Sequence, residues 1–461
     1  NFLEQYFERE WDEWKDQITG AELKQTFNNQ SWSIAADGRL NDFFTQTEWL
    51  PRVDHYWLGH PLFGDRLTWF EHTQAAYARL RAAVPPTDPT QSAMWEPLPW
   101  QAPLAGERII TRQEIDYPFQ LGPVKIVPYA LGELAHWGEQ TDGDDLQRAY
   151  FQAGTRASVP FWAVDPHVEN QLLNLHGLAH KVVYDMEFSY ADSNRDLDDL
   201  SLYDPINDDN IEAFERNFFF TTYGLTSGAM WPARYDPRFY AVRAGLQQWV
   251  ASPSAEIAED LTTVRLGMRH RWQTKRGRPG QRRIIDWITL DTNAVWFPEP
   301  DRDNFGADFG LVDYDLRWHV GDRLTLVSDG GFDFFADGLR TASVGGFISR
   351  PPRGSAYLGI RSFAGPFSSN VINASYSYWM SPKWISTLGS SVALGNAGNI
   401  GQTFSITRIG ESLLVTLGFN VDSSKDNVGV SLLVEPRFLP QSSLANARHV
   451  HVPPPGALGL E

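Results

Sequence analysis

Between Phe309 and Phe438 apolar and polar residues alternate in stretch after stretch, with a turn after each one. Successive side chains of a strand face opposite sides of its sheet, so every stretch has one oily face and one wet face. Leu413, Val415, Leu417, Phe419 and Val421 share one face, and Leu414, Thr416, Gly418, Asn420 and Asp422 share the other. The split recurs with Val312, Tyr314, Leu316, Trp318 and Val320 against Asp313, Asp315, Arg317, His319 and Gly321. A third instance sets Ile372, Ala374, Tyr376, Tyr378 and Met380 against Asn373, Ser375 and Ser377. Runs of this length suit a tilted strand crossing a bilayer, about 9–11 residues, more than the ~5–6 usual in soluble sheets. The pattern predicts a large, all-β, antiparallel transmembrane β-barrel. Its lumen would be lined by Asp313, Asp315, Arg317, His319, Asn373, Ser375, Ser377, Thr416 and Asn420, with Tyr376, Tyr378, Val415, Leu417 and Phe419 facing lipid. Arginine is then expected to be costly at Leu417 and mild at Thr416.

A soluble antiparallel sandwich also hides one face of each strand. The turns favour the barrel. Tight connections at His319-Val-Gly-Asp-Arg, Met380-Ser-Pro-Lys and Gly410-Glu-Ser alternate with longer ones at Ala364-Gly-Pro-Phe-Ser-Ser-Asn, Gly395-Asn-Ala-Gly-Asn-Ile-Gly and Ser423-Ser-Lys-Asp-Asn. Membrane barrels show that asymmetry, with short turns on one side and long loops on the other. Aromatic rings crowd one short turn, at Tyr376, Tyr378, Trp379 and Trp384, as they do in the girdles at a headgroup interface.

The rest of the composition is consistent with that reading. No apolar run approaches the ~18 residues of a membrane helix, and barrel strands expose only alternate residues to lipid. The formal net charge of −18 over 461 residues argues against nucleic acid as a partner, since phosphates call for a basic surface. Cysteine is absent, which excludes disulfides, thiolate zinc sites and thiol nucleophiles within the chain. Asn1-Phe-Leu-Glu-Gln-Tyr-Phe has neither the basic start nor the apolar core of a signal peptide, so an exported protein is expected to have lost its leader.

Strand-like segments run through the first part of the chain at Ser31–Phe44, Leu67–Leu80, Arg108–Tyr117 and Val124–Trp137. About twenty to twenty-two strands are expected in all, against a usual sheet of ~4–6. A proline-rich stretch over about 84–105 reads as a long loop, because proline lacks the amide hydrogen of a β-ladder. The stretch from Ala191 to Arg216, with Asp196, Asp198, Asp199, Asp208 and Asp209, reads as a solvated acidic loop on the outer side. The barrel is expected to occupy residues 1–440, followed by a tail over 441–461.

Catalytic motifs find little support. His176 and His180 would share a strand face about 13 Å apart, too far for one metal, and lack the glutamate of a zinc-protease helix. Gly395, Gly398 and Gly401 have no following helix to present amides to a phosphate. Glu8, Glu10, Asp12 and Glu13 are interleaved with Arg9 and Lys15, which suits a charged strand edge better than paired catalytic carboxylates. The sequence therefore points to no enzyme, no metal and no cofactor.

Several segments together resemble the outer-membrane lipopolysaccharide-assembly family, LptD, also known as the organic solvent tolerance proteins. They are Phe2-Leu-Glu-Gln-Tyr-Phe-Glu-Arg-Glu-Trp-Asp, Thr47-Glu-Trp-Leu-Pro-Arg52, Leu175-His-Gly-Leu with Val182-Val-Tyr-Asp-Met-Glu-Phe-Ser-Tyr, the acidic stretch Arg195–Arg216, the turns at His319 and Met380, and a closing strand over Val428–Phe438. The chain departs from the family pattern at Leu178-Ala-His180, where Leu-Glu-Pro is usual, and it lacks the cysteines that tie barrel to periplasmic domain in the family's best-known member. Nothing before Asn1 corresponds to the periplasmic jellyroll or the first barrel strands, so the chain resembles the later three-quarters of the barrel.

The resemblance implies a Gram-negative outer-membrane translocon that inserts lipopolysaccharide or a similar glycolipid into the outer leaflet. Outer-membrane lipids, a lipoprotein plug and periplasmic bridge proteins would be its partners. Val428, Val430, Leu432, Val434 and Pro436 would form a weakly paired seam strand, Pro436 being unable to donate a ladder hydrogen bond. A passive porin or solute channel, and a soluble extracellular β-rich glycan-binding protein or hydrolase, are the alternatives.

Overall fold

The computed structural model describes residues 19–42, 44–92, 95, 98–140, 143–207, 212, 215–216, 232–395, 398–423 and 427–437. They form an all-β structure, a twenty-stranded antiparallel sheet in which strands adjacent in the chain pair with each other. The strand number lies within the expected range. Two compact units divide the chain.

The first unit comprises Asn1–Val159, Asp185–Arg265 and Trp296–Asp308. It contains β1 (Thr19–Phe27), β2 (Gln30–Gly38), β3 (Gln46–Leu62), β4 (Leu67–Arg81), β5 (Ala105–Asp116), β6 (Phe119–Leu121) and β7 (Val124–Trp137), and β8 (Leu146–Asn170) begins here. β2 stops at Gly38, short of the strand expected to reach Phe44. Burial alternates residue by residue: Ala76, Ala78 and Leu80 of β4 are buried, as are Arg108, Ile110, Arg112 and Glu114 of β5, and Tyr129, Leu131, Glu133, Ala135 and Trp137 of β7. The registers align these residues in rows, Ala76 opposite Arg108 opposite Trp137, and Ile110 opposite Ala135 opposite Arg148. The other face carries Tyr77, Ile109, Leu134 and Phe151, which are 46%, 51%, 65% and 48% exposed.

Two long connections cover the first face. The one over 82–104, between β4 and β5, is the expected proline-rich loop, and it buries Leu98, Trp100 and Leu104. The other, over 194–260, joins β9 (Leu175–Ser193) to β10 (Leu261–Arg276). Leu200, Tyr203 and Ala255 from this second connection pack with Trp49, Ala78, Leu80, Ile110 and Trp137 in a single apolar cluster. Asp196, Asp198 and Asp199 of the acidic stretch are exposed, as its charge suggested, but the apolar residues among them anchor it. β9 continues to Ser193, and Leu197, Leu200, Leu202 and Tyr203 are all buried. Asp208 and Asp209 lie outside the described residues. Further along, the helix Pro237–Ala244 starts with proline in its first turn and Asp236 as N-cap, whose side chain accepts from the Arg238 amide. It stops at Gly245, whose φ of +94° and closeness to the Arg265 guanidinium leave no room for a side chain.

The second unit comprises Pro160–Tyr184, Leu266–Val295 and Phe309–Glu461. Its strands include β12 (Phe309–His319), β13 (Leu324–Phe332), β14 (Arg340–Arg350), β15 (Gly354–Ala364), β16 (Ser369–Ser381), β17 (Trp384–Ala393), β18 (Asn399–Ile409), β19 (Leu413–Asp422) and β20 (Asn427–Pro436). Connections at 351–353, 382–383 and 410–412 are shorter than those at 333–339, 365–368, 394–398 and 423–426, but the one at 320–323 is as long as 365–368 and 423–426, so the alternation is weaker than the sequence suggested. Arg276 holds two turns at once. Its guanidinium donates to the carbonyls of His319 and Gly321, each at 2.7 Å, and to that of Leu173 at 3.2 Å. Among the described residues β1 is paired along one edge, to β2, and β20 along one edge, to β19. The 441–461 tail and the segment from Phe2 lie outside the described residues.

Candidate functional site

The polar face of the first unit is built on buried arginines. Arg112 on β5 stands directly opposite Glu133 on β7 and donates to it through Nε at 2.8 Å. Arg148 on β8 reaches the same carboxylate diagonally, its Nε 2.9 Å from Oε1, while its direct cross-strand partner is Ala135. All three side chains are almost completely buried. A carboxylate between two guanidiniums balances charge that would be expensive to bury alone.

The same arginines fasten the 194–260 connection. Arg112 donates to the Trp249 carbonyl at 2.9 Å, and Arg148 to the carbonyls of Ala255 and Glu256. Arg108 meets Asp204 at 2.6 Å and Glu256 at 3.2 Å, and Trp137 Nε1 donates to Glu256. Burial pushes the Glu256 carboxyl above its ordinary range, with Arg108 opposing the shift. Arg238 ties the helix to the acidic stretch, donating to the Leu197 carbonyl and to Asp198 at 2.8 and 2.7 Å. Burial disfavours the Arg238 charge, but the hydrogen bonds and charges of Asp236 and Asp198 together outweigh it and the guanidinium pKa is raised.

A second ionic group follows along the same face. Arg156 on β8 donates to Glu114 at 2.9 Å and Glu187 at 3.2 Å, and lies over the rings of Tyr129 and Trp249 at 3.9 and 4.6 Å from their centroids. Asp54 accepts from Gln74 at 2.7 Å and lies 3.0 Å from His72, whose ring stacks on Tyr56.

In the second unit the expected lumen residues fall on one face. The registers draw a row from His319 through Thr325, Phe347, Tyr357, Ser375, Gly389 and Thr403 to Asn420. An adjacent row joins Arg317 to Asn373, and another places Asp315 opposite Asp329, Ser343 and Arg361. Asp315 accepts from Arg317 at 3.3 Å, Asp329 pairs with Arg361 at the same distance, and Asp313 accepts from Asn293 at 2.8 Å. His319 Nδ1 lies 2.9 Å from the Thr325 hydroxyl, and Asn373 accepts from Ser391 at 2.7 Å. Ser377 and Thr416 lie on this face but are buried, Thr416 hydrogen-bonding Thr407 at 2.9 Å, so space there is tighter than the alternation alone implied.

The opposite face carries an apolar set interrupted by Ser328, Ser386, Ser390 and Gln402: Val344, Leu358, Ile360, Phe404, Leu417 and Phe419 are exposed large hydrophobics. Tyr376, Tyr378 and Val415 share it. On β20, Val428, Val430, Leu432 and Val434 are exposed by half or more, and Pro436 stands opposite Leu413 at the strand end. The acidic residues Asp196, Asp198 and Asp199 sit around the short turn Leu197–Asp199, with Asp198 bound to Arg238.

Histidine spacing in the sequence was a poor guide to contacts. His180 pairs with His270, ring nitrogens 3.0 Å apart, and both rings stack on Trp272. Among the described residues no cluster of three or more His, Asp or Glu is arranged to hold a metal. The arginine anchors at Arg108, Arg112 and Arg148, and the anions Glu133 and Glu256 that answer them, were not singled out by sequence; the signal was the set of charges Arg108, Arg112, Glu114 and Asp116 on one face of β5.

No family model matches the chain, and no curated protein matches it. Among solved structures it is similar to a triple mutant of the Rhodopseudomonas blastica porin, with 10% identity over 72% of this chain and 90% of the porin and a TM-score of 0.27. It is also similar to the FrpB iron transporter from Neisseria meningitidis (F5-1 variant), with 8% identity over 87% of this chain and 67% of the transporter and a TM-score of 0.34. Likenesses at these scores carry no weight, and the two faces rest on this chain's own residues.

Proposed function

We propose that this chain is an outer-membrane β-barrel that takes lipopolysaccharide or a similar glycolipid into its polar interior and releases it into the outer leaflet through a lateral seam. The observation that carries the membrane part is the inversion of the two faces. In the first unit Arg112, Glu133 and Arg148 are buried while Leu134 and Phe151 are exposed on the opposite face, and in the second unit Leu358 and Leu417 are exposed opposite the polar rows. A water-soluble sheet hides its oily face, whereas a membrane barrel turns it to lipid and keeps its charges inside. The exposed apolar face weighs against a soluble glycan-binding protein.

The glycolipid part rests on the family resemblance and on β20. A sugar headgroup suits the hydroxyl, amide and ionic groups of the polar face, but its acyl chains cost about 0.8 kcal/mol per CH₂ left in water. They need a side exit, and β20, with its exposed valines and leucine, supplies a strand for one. Periplasmic bridge proteins would deliver the lipid and a lipoprotein would plug the lumen. No covalent step is needed. A passive porin is the second reading, favoured by the Ser, Thr, Asn and Gly rows of the second unit, which suit a hydrated solute.

A photo-crosslinking amino acid at Asn420 and at Val430 tests the choice in cells. Glycolipid transport requires lipopolysaccharide adducts at both positions. A steady open conductance in planar bilayers, with adducts at neither position, would establish the porin instead.

A further inference from the structure

We infer that the short-turn end of β14–β17 carries a site for one anionic phospholipid, held from outside the sheet. This rests on the membrane reading above, and it concerns a lipid bound to the wall rather than one carried through it. A groove of about 530 Å³ opens there, within the ~300–1,000 Å³ range of small-molecule sites. Ile348, Ala356, Tyr376, Tyr378 and Met380 line it. The Tyr376 hydroxyl is hydrogen-bonded to Ser386 at 3.1 Å, which fixes that ring as a wall. Gly354, at φ +147°, approaches β16 so closely that a Cβ would fall 2.1 Å from the Ser377 carbonyl oxygen. The groove floor at that point is bare backbone.

Two cations complete the lining, Arg350 at the end of β14 and Arg353 in the turn that follows. Both are exposed, and among the described residues neither guanidinium has a hydrogen-bond or ion-pair partner. An apolar slot for an acyl chain, bounded by two unpaired guanidiniums, is complementary to a phosphodiester with a hydrocarbon tail, since guanidinium binds phosphate in bidentate fashion. Basic pockets beside membrane-spanning segments recognise anionic headgroups on this principle. Trp379 and Trp384 lie beside the groove in sequence and mark the same end of these strands as interfacial. A zwitterionic phospholipid would bring an ammonium group towards the arginines and bind less well.

Native mass spectrometry of the purified full chain, released from micelles doped with phosphatidylglycerol or phosphatidylethanolamine, tests the site. One tightly retained phosphatidylglycerol is expected, with at least about five-fold weaker retention of phosphatidylethanolamine, the discrimination of roughly 1 kcal/mol that a charged contact provides. R350Q/R353Q should abolish the preference, whereas K383Q, a turn cation that does not line the groove, should keep it. Heat-modifiable migration and insertion into vesicles are read on every variant. Equal retention of both lipids, or an inserted double variant that still prefers phosphatidylglycerol, overturns the site while leaving the membrane reading intact. A wild-type chain that fails to enter vesicles overturns both.

Discussion

Arg108 on β5 and Asp204 in the long connection are 96 positions apart in the chain, yet their side chains meet at 2.6 Å. Arg108 is buried, and its second anion, Glu256, comes from the far end of the same connection. One strand residue thus gathers both ends of a segment that covers the polar face.

Replacing Asp204 with Asn should loosen that segment. A charge-assisted hydrogen bond contributes about 1.5–3 kcal/mol, and Glu256 remains to offset part of the Arg108 charge. Limited proteolysis should then cut within 194–207 several-fold faster than in the wild type, with the strands left intact. An unchanged cleavage rate would mean that the pair does not anchor the connection.

Glu133 carries more, because two guanidiniums depend on it. Glu133→Gln should destabilise the protein by about 3–5 kcal/mol, the cost of leaving a buried charge uncompensated. Thermal unfolding followed by gel migration would measure it, and a loss smaller than that of Asp204→Asn would contradict the assigned role.

Leu417→Arg should cost about 2–4 kcal/mol near the bilayer midplane, while Asn420→Arg, on the polar face of the same strand, should be mild. Asn420 is the better control than Thr416, which is 6% exposed and held by Thr407, so that arginine there would be crowded as well as charged. Comparable losses at Leu417 and Asn420, read by refolding into vesicles, would reverse or abolish the assignment of faces.

The connection should also respond to pH. Burial, reinforced by Glu212 and Asp236, pushes the Glu215 carboxyl up to about 8, and burial likewise raises Glu256 and Glu259. A folded-state value above the unfolded one means that folding takes up protons. The stabilisation is therefore greatest below the ordinary carboxylate range, and for Glu215 it is lost as pH rises from about 4.5 to about 8. Protease cutting within the connection should be slower at the acidic end of that window, and Glu215→Gln should flatten the dependence. A faster rate at the acidic end would contradict the sign.

The strands of the second unit were legible because most neighbouring pairs set an apolar residue against a polar one: β19 spans Leu413–Asp422, as the alternation indicated, and Asn373, Ser375 and Asn420 lie on its polar side's rows. The first unit was harder to read. In sequence, the charges of β5 and β7 suggest a face in water, but the 194–260 connection covers them, and nothing local to Arg108 announces a partner at Asp204. The anchoring of the acidic stretch was hidden for a related reason. Its charge is conspicuous, while the buried Leu197, Leu200 and Tyr203 that fix its path are scattered among the acids. Register shifts in β3, between Trp49 and Arg52, likewise leave no periodic signal.

The most direct test of the inverted faces is a single-cysteine spin-label scan from Leu414 to Val421 on the chain reconstituted in vesicles, which the absence of native cysteine makes clean. Labels at Val415, Leu417, Phe419 and Val421 should be relaxed by oxygen dissolved in lipid, and those at Gly418 and Asn420 by a water-soluble nickel chelate, with a period of two along the strand. Nickel accessibility at all six positions, or no alternation between them, would contradict a membrane-facing apolar side and remove the basis for transport through the polar one.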